Sequence, residues 1–163
     1  MAVTHKELVE IAAQWLWKSG NSVVVTELSI SGEEPDAIGW RGWHSTLIEC
    51  KASLSDFKAD AKKAFRKYAD TGIGQKRYYC VPKGLITKDD LPHGWGLLEY
   101  TGKGLRRSAK SSLFRKCNSR HEVEILLSAL RRVGQVCPKG VSVRCYINET
   151  KNKTTVGVSR VRN

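Results

Sequence analysis

Residues 36–51 read DAIGWRGWHSTLIECK, two short apolar runs around a glycine-containing turn. DAIGW and STLIECK have the alternation and composition of strands, and RGWH between them has the composition of a turn. Alternation along STLIECK puts Leu47, Glu49 and Lys51 on one face and Ile48 and Cys50 on the other. An acid and an amine therefore share a face two residues apart. Asp36 opens the preceding strand directly after Pro35, so antiparallel pairing of the two runs can bring its carboxylate beside Glu49. Two carboxylates held that close repel unless a cation sits between them, and Mg2+ is the usual hard ion for oxygen ligands. Lys51 would then supply positive charge to a phosphodiester transition state or hold an attacking water. Plainer roles fit the same residues: a cross-strand ion pair for Glu49 and Lys51, and a turn acid after proline for Asp36.

Upstream, SVVVTELSI (22–30) reads as a β-branched strand closed by the turn SGEEP, which completes a three-strand antiparallel meander. Before it, THKELVEIAAQWLWKSG (4–20) spaces Leu8, Ile11, Ala12, Trp15 and Leu16 as the apolar stripe of a helix. Thr4 and Glu7 form a capping box, and Gly20 suits the left-handed turn that ends a helix. Glu10 is left as that helix's free acid. Downstream, SLSDFKADAKKAFRKYADTG (53–72) predicts one continuous helix with Phe57, Ala61, Ala64, Phe65 and Tyr68 on its apolar face. KRYYCVP (76–82) and GWGLLEY (94–100) read as two further strands, and TGKGLRRSAK (101–110) as a loop. A last helix is expected from Arg120 to Val133, capped by Ser119 with Glu122 and ended by Gly134. VSVRCYI and TTVGVSRV then predict a hairpin displaying Arg144, Arg160 and Arg162. This order of elements predicts one mixed α/β domain.

The 163 residues carry 28 Lys plus Arg against 16 Asp plus Glu, a formal charge of +12. Residues 1–100 hold 13 basic and 13 acidic side chains, whereas residues 101–163 hold 15 and 3, so the whole excess lies in the last 63 residues. Such a field favours a polyanion, and nucleic acid is the natural partner. A solvated basic surface, or contact with acidic protein or lipid, is the plainer account of the same charge. The longest apolar runs, such as Val23–Val25 and Ile125–Leu127, are far too short to span a bilayer. MAVTHKELVE lacks a basic stretch leading into an apolar one, so a cytoplasmic location is expected. The five cysteines, Cys50, Cys80, Cys117, Cys137 and Cys145, have no metal-site spacing and read as reduced thiols.

Pro35-Asp36 followed by Glu49-Cys50-Lys51, behind a helix bearing Glu10 and a strand bearing Glu27, resembles the PD-(D/E)XK nuclease superfamily. From Glu27 through ECKASLSDFKAD to KRYYCVPKGL and GWGLLEY the chain resembles the MmcB-like DNA-repair branch of that superfamily, over roughly residues 5–105. The resemblance implies a restriction-endonuclease-like core of helix, three-strand meander, helix and two strands in residues 1–105. Residues 106–163, a basic extension with a helix and β-hairpin, are expected to pack on the same domain.

The resemblance further implies a metal-dependent deoxyribonuclease, an endonuclease in preference to an exonuclease, acting in DNA repair, recombination or the processing of mobile-element or phage DNA. Asp36, Glu49 and the main-chain carbonyl of Cys50 would bind Mg2+ (or Mn2+), and Lys51 would position or activate water. Glu10 matches a helix glutamate that orients water or a second metal in many members, and Glu27 matches an acid on the first strand of the closer branch. A solvent-facing acid accounts for Glu10 and Glu27 equally well. The chain shows no Gln-x-x-x-Tyr helix of the RecB-like branch.

For DNA contact the densest cluster is Arg106, Arg107, Lys110, Arg115 and Lys116, joined by Lys62 and Lys63 on the second helix. Trp40 and Trp43 flank the turn close to the expected site, either to stack on an unpaired base or to pack against the sheet. A homodimer and an accessory protein stay open as further partners. The alternative function is a non-catalytic nucleic-acid-binding module on the same fold.

Overall fold

The computed structural model describes residues 3–28 and 30–133. They form a six-stranded sheet with helices on both faces, an α/β architecture. The strands β1 (Val23–Thr26), β2 (Ala37–Arg41), β3 (His44–Cys50), β4 (Lys76–Pro82), β5 (Gly96–Tyr100) and β6 (Leu105–Ala109) lie side by side in chain order. β1, β2 and β3 form the expected antiparallel meander, with Asp36 just ahead of the Ala37–Ile48 pair. β3, β4 and β5 are parallel, and β6 turns back antiparallel on β5. Parallel strands need long crossovers, and residues 51–75 supply the first.

Helix α1 (His5–Lys18) begins with the predicted capping box: the Glu7 N–H donates to Thr4 Oγ1 at 3.2 Å, and the Thr4 N–H donates to Glu7 Oε2 at 2.7 Å. Leu8, Val9, Ala12 and Leu16 pack on Ala37, Ile48, Cys50, Tyr78, Cys80 and Leu98, the face made by alternate residues of the central strands. The opposite face buries Ile38, Trp40, Leu47, Tyr79, Val81 and Leu97 beneath Phe57, Ile73, Trp95 and Ile125. YYCV (78–81) is apolar on both sides because this part of β4, at the centre, is covered on both faces.

Three elements differ from expectation. The predicted second helix is broken into α2 (Leu54–Asp60), α3 (Ala64–Lys67) and a 3₁₀ turn at Ala69–Thr71, with Lys63 extended between the two helices. Its buried residues are Phe57, Asp60 and Arg66, while Ala61, Ala64 and Tyr68 are exposed. In an unbroken helix residues six apart point about 120° away from each other. The break lets Asp60 and Arg66 face the sheet together.

TGKGLRRSAK is not all loop: its residues 105–109 form edge strand β6, so the sheet runs past residue 105. β6 has the exposed, charged character that keeps an edge from recruiting other strands. Helix α4 (Ser119–Val133) is present, yet Glu122 does not serve as its cap. The Glu122 carboxylate is buried and accepts from Trp40 Nε1 (3.1 Å), Ser45 Oγ (2.9 Å) and the Gly74 N–H (2.8 Å), tying α4 to the sheet. Asn118 Oδ1 caps the helix instead, accepting from the His121 N–H at 3.1 Å.

Gly134, the C-terminal hairpin and its Arg144, Arg160 and Arg162 lie outside the described residues. Cys50, Cys80 and Cys117 are free thiols. Among the described residues, no helix is long and apolar enough to cross a membrane.

Candidate active site

The end of β3 brings the sequence-predicted trio together. Asp36 leaves the loop before β2 with its carboxylate against the end of β3, where Oδ2 accepts from the Cys50 N–H at 2.7 Å. Glu49 is 1% exposed on the α2–α3 face of the sheet. Lys51 Nζ donates to Glu49 Oε2 at 2.9 Å and to Asp36 Oδ2 at 3.3 Å. The Lys51 N–H donates to the Cys80 carbonyl at 2.9 Å, continuing the β3–β4 ladder just long enough to fix the lysine at the strand's end.

Around the trio lies a buried charge network that the sequence reading missed. Asp60 Oδ1 is 3.6 Å from Lys51 Nζ, and Asp60 Oδ2 accepts from Arg66 Nε at 2.7 Å and from the Tyr79 hydroxyl at 2.6 Å. Arg66, 2% exposed along its side chain, also pairs with Glu33 and places Nη2 3.1 Å from Glu49 Oε1. Its guanidinium rests 4.7 Å from the centre of the Trp95 ring. Glu33 uses its other oxygen to accept from the Ile73 N–H at 2.8 Å, which fixes the loop leading into β4. The one sequence signal available was an acid and an arginine six residues apart in a segment read as unbroken helix. Nothing in ADAKKA, which lacks Gly and Pro, announces the break.

The electrostatics follow from burial. Desolvation pushes the Glu49 carboxyl up to about 7, against the opposing pull of Arg66 and Lys51. Burial also disfavours the Lys51 ammonium, but Glu49, Asp36 and Asp60 outweigh it and hold the lysine above its ordinary range. Asp60 is desolvated too, and there the hydrogen bonds and charge of Arg66, helped by Lys51, keep the carboxyl well below its usual value. Among the described residues Glu49 Oε1 has no hydrogen-bond partner, since its contact with Arg66 Nη2 is charge–charge and off hydrogen-bond geometry.

Two clefts flank this cluster. One, of about 280 Å3, is lined by His5, Lys51, Asp60 and Lys63 among others, and His5 Nε2 lies 3.5 Å from Asp36 Oδ1. The other, of about 600 Å3, is lined by Glu27, Asp36 and Phe65 among others. Glu27 is thus brought beside Asp36, and its N–H donates to the Asp36 carbonyl at 3.1 Å. Glu27 has φ of 47°, the left-handed region that non-glycine residues rarely occupy, so the backbone beside Asp36 is strained. Glu10 is exposed on α1 and lines neither cleft.

Of the predicted DNA-contacting cations, Lys62 is exposed beside the cluster, and Lys63 pairs with Asp60 at 2.9 Å. Arg106 is bound to Glu99 at 2.7 Å, and Arg115 and Lys116 are exposed ahead of α4. Arg107 and Lys110 line a separate groove at the other end of the sheet. Trp40 is buried. Trp43 is 83% exposed, but it stands at the β2–β3 turn, a strand's length from Lys51 and not near the trio as expected.

Carboxylate oxygens, one of them lacking a hydrogen-bond partner among the described residues, are the donor type that hard divalent ions take. Among the described residues, no three His, Cys, Asp or Glu side chains are arranged to hold a metal ion. The set implied by the resemblance has two carboxylates and one main-chain carbonyl, so it needs no third side chain.

No protein-family model matches the sequence, and no curated protein matches it. The fold is similar to a solved structure of a protein of unknown function from Silicibacter pomeroyi, with a TM-score of 0.63 and 24% identity, covering 82% of this chain and 91% of that one. That likeness concerns the fold alone.

Proposed function

We propose that the protein is a metal-dependent DNA nuclease of the PD-(D/E)XK type, hydrolysing phosphodiester bonds. The observation that carries this reading is the convergence of Asp36, Glu49 and Lys51 within hydrogen-bond reach at the end of β3. Asp36 and Glu49, with the carbonyl of Cys50, are the groups that would hold Mg2+ or Mn2+. Such an ion, when bound, polarises a phosphoryl oxygen and makes water more acidic.

The chain's own residues have separable tasks. Lys51 Nζ holds and orients the water that attacks phosphorus and offsets charge growing on the phosphoryl oxygens. Arg66 favours the Glu49 anion by opposing its desolvation. Asp60 fixes Arg66 and gives Lys51 a third carboxylate to point at. Glu27, strained beside Asp36, sits where a second acid would meet the same phosphate. Basic side chains at residues 101–163 add affinity for the DNA backbone.

One observation favours a second reading, a non-catalytic nucleic-acid-binding module. Lys51 Nζ is itself the cation among three carboxylates, so the cluster is held together without any ion. The test is cleavage of labelled single-stranded, duplex, flap and four-way-junction DNA with Mg2+, Mn2+ or EDTA. The nuclease reading expects metal-dependent cutting that Asp36→Ala and Lys51→Ala each reduce about a thousandfold while DNA binding persists. Wild-type protein that binds every substrate and cuts none would make the module reading the correct one.

A further inference from the structure

At the opposite end of the sheet from the carboxylates, on the face covered by α1, lies a groove of about 880 Å3. Arg41 at the end of β2, Lys76 at the start of β4, and Arg107 and Lys110 on and after β6 line it, and among the described residues no Asp or Glu does. All four cations are exposed, and among the described residues none of them pairs with a carboxylate. This contrasts with neighbouring Arg106, which Glu99 neutralises. The groove floor is aromatic. Trp15 and Tyr78 meet edge-on there, with ring centres 5.7 Å apart. Trp43 stands between Arg41 and His44, two lining residues, with 83% of its surface in water.

We infer that this groove binds unpaired nucleotides of a nucleic-acid strand. Four unpaired cations around a cavity without acids select an anion, and their spread over β2, β4 and β6 suits several phosphates in a row better than one. A cavity of this volume takes units the size of one or a few nucleotides and is too small to seat a duplex. Exposed tryptophan is costly in water, and beside cations it offers the stacking surface that single-strand sites use; a paired base has no free face to give it. From Ser45 to Lys51 the strand rises about 20 Å, so nucleotides in the groove are not those at the carboxylates.

The inference rests on the nuclease reading only in assigning the strand to its DNA. Its test is therefore a binding measurement in EDTA, where cutting plays no part. Fluorescence anisotropy of the full chain with labelled oligo-dT of about ten nucleotides is compared with a hairpin duplex of similar length. Lys76→Glu with Arg107→Glu is expected to weaken oligo-dT binding at least about tenfold, and Trp43→Ala about tenfold. Lys88→Ala, which removes an exposed cation outside the groove, should leave oligo-dT affinity unchanged. An oligo-U probe tells ribose from deoxyribose, and groove-dependent binding of either strand sustains the inference. Oligo-dT affinity that ignores the groove variants, or equal losses for strand and duplex, would overturn it. All the substituted groove residues are exposed, and circular dichroism checks that each variant is folded. Cleavage that survives while strand binding ignores the groove would reject the groove alone, and strand binding without cleavage would reject the nuclease reading alone.

Discussion

The two ends of β3 handle charge in opposite ways. At its carboxyl end, Glu33, Glu49, Asp60, Lys51 and Arg66 are all buried, and each charge is opposed by another within 3.6 Å. At its amino end, Arg41, Lys76, Arg107 and Lys110 are exposed, and among the described residues no acid lines their groove. A buried network is geometrically rigid, because any displaced charge meets the desolvation cost of the interior. An exposed cationic rim is adaptable and acts over a Debye length, about 8–10 Å in ordinary salt. The first arrangement suits bond-breaking, which needs fixed positions, and the second suits capture of a flexible polyanion. One strand thus joins a site built for position to a surface built for attraction.

The contrast predicts that removing Arg66, the cation shared by three buried acids, should be ruinous, whereas removing a groove cation should be tolerated. Arg66→Ala leaves Glu33, Glu49 and Asp60 without their common partner and is expected to cost about 3–5 kcal/mol, measured by urea denaturation. Arg66→Met, which keeps the bulk beside Trp95 but not the charge, should cost nearly as much. A small loss in either variant would mean that water reaches the cluster and that the two ends differ less than their burial implies.

Glu49 sharpens the contrast through pH. Its folded carboxyl titrates near 7 because burial disfavours the anion, whereas an unfolded glutamate titrates near its ordinary 4.5. Between those values the folded state holds the extra proton, so this group's contribution to stability falls as pH rises through the window and levels off above about 7. The loss is on the order of 3 kcal/mol. Glu49→Gln, uncharged throughout, should lack that slope when unfolding free energies at pH 5 and pH 8 are compared. A wild-type slope of the opposite sign would show that Arg66 and Lys51 overcome the desolvation. Glu99 runs the other way: the Ser108 hydroxyl and Arg106 hold its carboxyl down to about 2, so its contribution is present above 4.5 and fades only as pH falls toward 2.

How legible the molecule was in sequence divides along the same line. The meander, α1 with its capping box, β4 and β5 follow from local signals: alternation, a Thr-x-x-Glu box and turn residues. Asp36, Glu49 and Lys51 were found because strand alternation and one antiparallel pairing suffice to juxtapose them. Asp60, Arg66 and Glu33 were not, because their meeting depends on a helix break that no glycine or proline announces; burial of the charges, a tertiary effect, overrides helix propensity at Ala61–Lys63. Glu122 misled for a related reason. Its spacing from Ser119 fits a capping box, but Trp40, Ser45 and Gly74, distant in sequence, offer the carboxylate three buried donors and win. Edge strand β6 was hidden by its exposure, since a strand that buries little has no apolar period to read.

The smallest effects should come from the groove. Arg41→Ala and Lys110→Ala remove exposed, unpaired cations, so each should change stability by less than about 0.5 kcal/mol. Their effect should appear instead in the salt dependence of strand binding. Each phosphate that is no longer neutralised lowers the slope of log affinity against log salt by about 0.7 for single strands. The double variant should therefore bind oligo-dT with a slope shallower by about 1.4, measured by anisotropy across a salt series, while its urea midpoint stays with the wild type. If both slope and midpoint hold still, the cations are solvated and the attraction comes from elsewhere in the basic chain. If the midpoint falls, the rim is part of the framework after all, and the division between a rigid end and an adaptable one fails at the strand that joins them.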